Sequence, residues 1–99
     1  MERNQADKNR AMRGVIMRRL GDCYPSPTMV ESLRNGLLGH ELMPSGDISA
    51  YLEYLDDRGY ISIQDTGEKF GAPIRYIKLT SKGIDLLEGT ISDPGVAMQ

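Results

Sequence analysis

The segment from Leu55 to Gly89 limits the folds open to this chain more than any other part of the sequence. Residues 60–64 alternate between apolar and polar side chains, which is typical of a strand with one buried face. A loop over residues 65–72, which contains two glycines, precedes a second alternating stretch at residues 74–79. The segment therefore predicts the end of a helix, a two-stranded hairpin and a further helix, in that order.

Glycine and hydroxyl residues mark where these helices begin and end. Gly59 tolerates the left-handed conformation that commonly follows a helix, so it is predicted to close the helix before the hairpin. Thr80 or Ser81 is predicted to cap the short final helix, because a side-chain oxygen there accepts from a free helical N–H. Gly89 is predicted to end that helix.

Three amphipathic helices are predicted before the hairpin, over residues 4–22, 28–38 and 45–58, with Thr28 and Ser45 as N-caps. Their apolar residues recur at spacings of three or four and so lie on one face of each helix. The predicted inward-facing residues are Met12, Val15, Ile16 and Leu20, then Met29, Val30, Leu33 and Leu37, then Ile48, Tyr51, Leu52 and Leu55.

An isolated hairpin is only marginally stable in water, so the predicted strands must pack against these helices. The expected fold is α+β and mainly α, with three helices, a two-stranded β-hairpin and a short C-terminal helix. A chain of 99 residues suits one domain, which we assign to residues 1–91. Residues 92–99 are predicted to form a flexible C-terminal tail.

Two stretches carry a resemblance to a known superfamily: YLEYLDDRGYI, from Tyr51 to Ile61, and RYIKLTSKGIDLLEG, from Arg75 to Gly89. They resemble the winged helix-turn-helix superfamily, and more closely small bacterial regulators of the PadR, MarR and ArsR kind. The last helix and the tail motif Pro94-Gly95-Val96 are also similar to short proteins encoded in Mu-like prophages. In the regulators the first stretch is the recognition helix and the second closes the wing.

This resemblance implies a bacterial transcriptional regulator that binds double-stranded DNA with helix 45–58 and the wing 60–79. A helix can enter the major groove while a hairpin tip reaches phosphates or the minor groove. The candidate DNA contacts are three hydroxyl side chains, three cations of the wing and two arginines of the first helix: Ser45, Ser49, Tyr54, Lys69, Arg75, Lys78, Arg10 and Arg13.

The distribution of charge supports a second hypothesis. The net charge is −2, and residues 1–35, 36–68 and 69–99 carry +3, −6 and +1. Because Lys and Arg supply most of the affinity for phosphates, an acidic recognition helix opposes DNA binding. The alternative is a protein-interaction module, such as a phage or bacterial adaptor or a homodimer, whose candidate contacts are Glu53, Tyr54, Asp57 and Phe70.

No pattern of residues predicts an enzyme, a cofactor or a metal site. The single cysteine, Cys23, and the single histidine, His40, are too few for a metal site, and the carboxylates Glu53, Asp56 and Asp57 are predicted to be solvated. The sequence lacks an apolar run of the length that a membrane span requires and lacks a signal peptide, so a cytoplasmic location is expected.

Overall fold

A computed structural model describes residues 2–38 and 47–98, which form four helices and three strands. In chain order these are α1 (Arg3–Cys23), β1 (Thr28–Met29), α2 (Val30–Leu37), α3 (Ser49–Asp57), β2 (Ile61–Lys69), β3 (Ala72–Leu79) and α4 (Ser81–Glu88). The helices were expected near these positions. The predicted N-cap Ser45 lies outside the described residues.

The predicted two-stranded wing is wrong, because the sheet has three antiparallel strands in the order β1-β3-β2. Thr28 was expected to cap a helix, but it pairs with Ile77, and Met29 pairs with Tyr76. Pro27 biases Ser26, the residue before it, away from the α region, and pairing with β3 holds Thr28 and Met29 extended. A two-residue strand is too short to show an alternating pattern, so the sequence gives no local sign of it.

Strands β2 and β3 pair over residues 61–79, and we call these residues the hairpin. Its pairing runs from Ile61 opposite Leu79 to Lys69 opposite Ala72, with an irregularity between Asp65 and Glu68. The strands extend further toward the turn than the sequence pattern predicts. Residues 64–73 are all exposed, so this end of the hairpin projects from the body of the protein.

The core lies between the helices and the inner face of the sheet. Its fully or almost fully buried side chains are Met12, Ile16, Met17, Leu20, Leu33, Leu37, Ile48, Leu52, Leu55, Tyr60, Ile61, Ile77, Leu79, Leu86 and Val96. Most of these positions agree with the predicted apolar stripes. Thr80 caps α4 by accepting from Gly83 N–H at 3.1 Å, and Gly89 closes it with φ 82°, as predicted.

The contact between α4 and the start of the hairpin requires glycine at position 83. An alanine Cβ there would lie 2.2 Å from the carbonyl oxygen of Tyr60, which is backbone and cannot rotate away. We therefore expect Gly83→Ala to lower the free energy of unfolding in urea by about 1–3 kcal/mol.

The matched control is Gly36→Ala, the same substitution in α2. Its Cβ would lie 3.3 Å from Nη1 of Arg19, the mobile end of a long side chain. This variant should be more stable than the wild type by about 0.5–1 kcal/mol, because alanine favours a helix over glycine. Equal stability of the two variants would contradict the close contact at Gly83.

Residues 92–98, which lie in the stretch predicted to be a flexible tail, are packed against the rest of the protein. We call residues 92–98 the C-terminal segment. Val96 is buried in the core, and the N–H of Ala97 donates to the carbonyl oxygen of Arg10 at 3.0 Å. An alanine Cβ at Gly14 would lie 1.7 Å from the carbonyl oxygen of Ala97, so the segment crosses α1 where the helix has no side chain. The described structure thus includes this segment as part of the domain.

Asp93 anchors the start of the C-terminal segment. One carboxylate oxygen accepts from the Tyr60 hydroxyl at 2.6 Å, and the other accepts from Gly95 N–H at 2.7 Å. Burial disfavours the charged form of Asp93, but these two hydrogen bonds and the cations of Arg58 and Lys82 outweigh it and lower its pKa. Burial, and then the hydrogen bond to Asp93, raises the pKa of Tyr60 to about 12.

Candidate nucleic-acid interface

The exposed face of α3 is acidic. Glu53, Asp56 and Asp57 are all exposed, and α3 contains no lysine or arginine. Ser49 is exposed in the first turn, where its N–H donates to the Asp47 carboxylate at 3.0 Å. This backbone hydrogen bond is the main cause that lowers the pKa of Asp47, and a hydrogen bond from the Ser49 side chain is the second. The lowered pKa favours a further negative charge beside the helix. The helix predicted to read bases therefore presents carboxylates to its surroundings.

Tyr54 is packed into the protein and is not offered to a ligand. The guanidinium carbon of Arg13 lies 3.7 Å from the centroid of its ring, and that of Arg58 lies 5.1 Å away. The Tyr54 hydroxyl accepts from Nη2 of Arg58 at 2.8 Å. Tyr54 is thus half-buried between two arginines, so it fits neither of the contact roles suggested by the sequence.

The two arginines of α1 that were candidate DNA contacts also have partners within the protein. Arg13 donates from Nη1 to the carbonyl oxygen of Gly95 at 3.0 Å while stacking on Tyr54. Arg10 forms an ion pair with Asp7, one turn away on the same helix. Neither cation is therefore a free phosphate contact, and Arg13 instead helps to hold the C-terminal segment.

The hairpin carries the three remaining candidate cations, all of them exposed: Lys69, Arg75 and Lys78. Arg75 lies opposite Asp65 in the strand register, so a carboxylate offsets its charge, whereas Lys78 lies opposite Ser62. Because Arg75 and Lys78 are three positions apart on one strand, they lie on opposite faces of the sheet. Only Arg75 lines a cleft of about 670 Å³ between α2, α3 and the sheet.

Arg34 belongs to the same cleft and was not among the candidates predicted from the sequence. Its side chain is 46% exposed and pairs with Glu31 one turn earlier on α2. Arg34 borders the apolar stripe of α2, so helical periodicity alone does not mark it as a surface residue, and only the fold places it in the same cleft as Arg75. Glu53 and Asp56 line this cleft as well, so the two arginines do not form a purely basic surface.

Phe70 occupies the turn of the hairpin and is 97% exposed. Phe70 and Gly71 form a two-residue turn with positive φ at both positions, 54° and 78°. Such turns strongly prefer Asn-Gly, Asp-Gly or Gly-Gly, because a left-handed conformation costs other residues about 1–2 kcal/mol. Nζ of Lys69 lies 5.8 Å from the ring centroid. The apolar ring of Phe70 is thus exposed to solvent, its residue has an unfavourable backbone conformation, and the cation of Lys69 lies beside it.

Three further observations bear on the kind of site. In the part of the chain that the structure describes, no group of three His, Cys, Asp or Glu side chains is placed to hold a metal ion. None of the described helices has the length and apolar character needed to cross a membrane. No protein-family model matches the chain, and comparisons with curated proteins and with solved structures find no match either.

Proposed function

We propose that this protein binds duplex DNA through the hairpin and acts as a cytoplasmic transcriptional regulator. The observation that carries the proposal is the projecting end of the hairpin, residues 64–73, which includes the exposed Lys69. Two further exposed cations, Arg75 and Lys78, follow on β3 toward the body of the protein. A two-stranded ribbon of this kind can enter a groove of DNA while its cations contact phosphates. The resemblance of residues 51–61 and 75–89 to small bacterial regulators supports the same role.

The charges of α3 determine how such a complex is arranged. Glu53, Asp56 and Asp57 repel phosphates, so α3 contributes little to the affinity and the hairpin makes the main contact. Because Asp65 offsets the charge of Arg75, we expect about two phosphate contacts, from Lys69 and Lys78. The logarithm of the binding constant should then fall with the logarithm of salt concentration with a slope of about −2. The complex is thus expected to be weak and to form best at low salt.

The direct test is a titration of a fluorescent, mixed-sequence duplex by anisotropy, starting at ~50 mM salt. Lys69→Ala should weaken binding and make the salt slope shallower by about 1, because one phosphate contact is removed. The measured quantities are the dissociation constant and its salt slope for each protein.

Lys8→Ala provides the matched control, since it removes the same charge from an exposed position near the start of α1. It should leave the affinity and slope close to those of the wild type. An absence of binding at ~50 mM salt, or an equal effect of the two lysine substitutions, would contradict DNA binding through the hairpin.

A second candidate function is favoured by the exposed carboxylates of α3. In this proposal Glu53, Asp56 and Asp57 form a contact surface for the basic surface of a protein partner. Replacing Glu53 and Asp57 with glutamine separates the two functions. The double variant should bind DNA at least as well as the wild type under the first proposal, whereas it should weaken the protein complex under the second.

A further inference from the structure

We propose that Phe70 is a wedge that inserts between base pairs of the bound duplex from the minor groove and bends it. This inference rests on the proposed DNA binding and adds a defined contact, an apolar side chain against an unstacked base step. Proteins that bend DNA from the minor groove commonly insert an apolar side chain in this way. The evidence lies in the conformation, the surroundings and the position of Phe70.

The conformation of the turn indicates that Phe70 does not stabilise the fold. Phe70 has φ 54° and is 97% exposed, so it neither suits the backbone nor fills the core. Asparagine would satisfy the same turn better and keep the surface polar. An unfavourable residue at an exposed tip is a reason to expect a function for that side chain.

The surroundings of Phe70 favour DNA over a protein pocket. Among the described residues the other exposed large apolar side chains are Tyr24 and Leu38, and neither belongs to the hairpin. Protein interfaces usually place several such side chains together, whereas a wedge acts as a single residue between two base pairs. Lys69, directly beside the ring, can reach a phosphate that flanks the inserted step.

The position of Phe70 allows the insertion. The turn lies at the end of residues 64–73, all exposed, so the ring can enter a groove before the body of the protein meets the duplex. Glu68, opposite Pro73, lies one pair behind Lys69, and Asp65, opposite Arg75, lies further back along the strands. The leading group of the hairpin is thus an uncharged ring beside a single cation.

The test compares the wild type with Phe70→Asn and Phe70→Leu on a short duplex with TA steps, which unstack readily. One strand carries 2-aminopurine at a TA step, and fluorophores at the two ends report bending by energy transfer. The wild type should raise the 2-aminopurine fluorescence and shorten the end-to-end distance. Phe70→Asn should abolish both changes and weaken binding about tenfold, while Phe70→Leu should keep them in part.

Thermal unfolding is the control that tests whether these effects come from loss of the fold. Phe70→Asn should raise Tm by about 4–8 °C, because asparagine suits the left-handed turn. Loss of bending in a stabilised protein would support the wedge. Wild-type bending and affinity in Phe70→Asn would overturn it and leave DNA binding intact, whereas no duplex binding by the wild type would overturn both. Loss of self-association in sedimentation, with bending unchanged, would assign Phe70 to a protein contact instead.

Discussion

Replacing Gly14 with alanine should lower the free energy of unfolding by about 2–4 kcal/mol and release the C-terminal segment from α1. The new Cβ would lie 1.7 Å from the carbonyl oxygen of Ala97, so the segment must move. Its movement exposes Val96 and breaks the hydrogen bond from Ala97 N–H to Arg10. The better helix propensity of alanine offsets only about 1 kcal/mol of this loss. Urea unfolding measures the change in stability.

Hydrogen exchange distinguishes release of the segment from a general loss of stability. The Ala97 amide should exchange much faster in Gly14→Ala, while amides in the centre of β3 remain protected under native conditions. Gly36→Ala, the same change at an exposed helical site, should keep the Ala97 amide protected. A Gly14→Ala protein with wild-type stability and a protected Ala97 amide would show that the segment does not pack against α1.

The parts of the fold that follow from short-range pattern are those that the sequence predicts well. Thr80 and Gly89 lie at the ends of α4 as expected, because each acts on backbone groups within a few residues of itself. Strand β1 and the C-terminal segment depend on distant partners instead. Thr28 pairs with Ile77, and Arg13 binds the carbonyl of Gly95, 82 residues away. Periodicity over a short window contains no information about such partners.

The candidate site shows the same division. Glu53 and Asp57 are exposed, in agreement with the helical pattern, and Lys69 and Phe70 are exposed, in agreement with the loop predicted over residues 65–72. Arg13 was a candidate DNA contact, but it stacks on Tyr54 and holds the C-terminal segment. That role requires α1, α3 and the C-terminal segment to meet. The sequence pattern therefore predicts exposed charges correctly where no other element packs on them. It does not predict the role of Arg13, because the C-terminal segment covers α1 there.

Replacing Asp93 with alanine should lower the free energy of unfolding by about 3 kcal/mol at neutral pH. The substitution removes the acceptor for the Tyr60 hydroxyl at 2.6 Å and for Gly95 N–H at 2.7 Å. Tyr60 is only 3% exposed, so water cannot readily replace the lost acceptor. The ion pair with Arg58 contributes less, because its atoms lie 3.8 Å apart and the Arg58 side chain is 51% exposed. Urea unfolding of both proteins at several pH values measures the effect.

The pH dependence of the free energy of unfolding separates the contribution of Asp93 from that of Tyr60. The folded-state pKa of Asp93 is lowered, so its contribution is present above the unfolded value of about 3.9 and is lost as the pH falls through the folded value. The pKa of Tyr60 is raised to about 12, so its contribution is present below about 10 and is lost as the pH rises toward 12. Asp93→Asn keeps the shape of the side chain and should reduce the loss of stability at acid pH, and Tyr60→Phe should reduce the loss at alkaline pH. An Asp93→Asn protein that loses stability below about pH 4 as steeply as the wild type would show that the charge of Asp93 does not anchor the C-terminal segment.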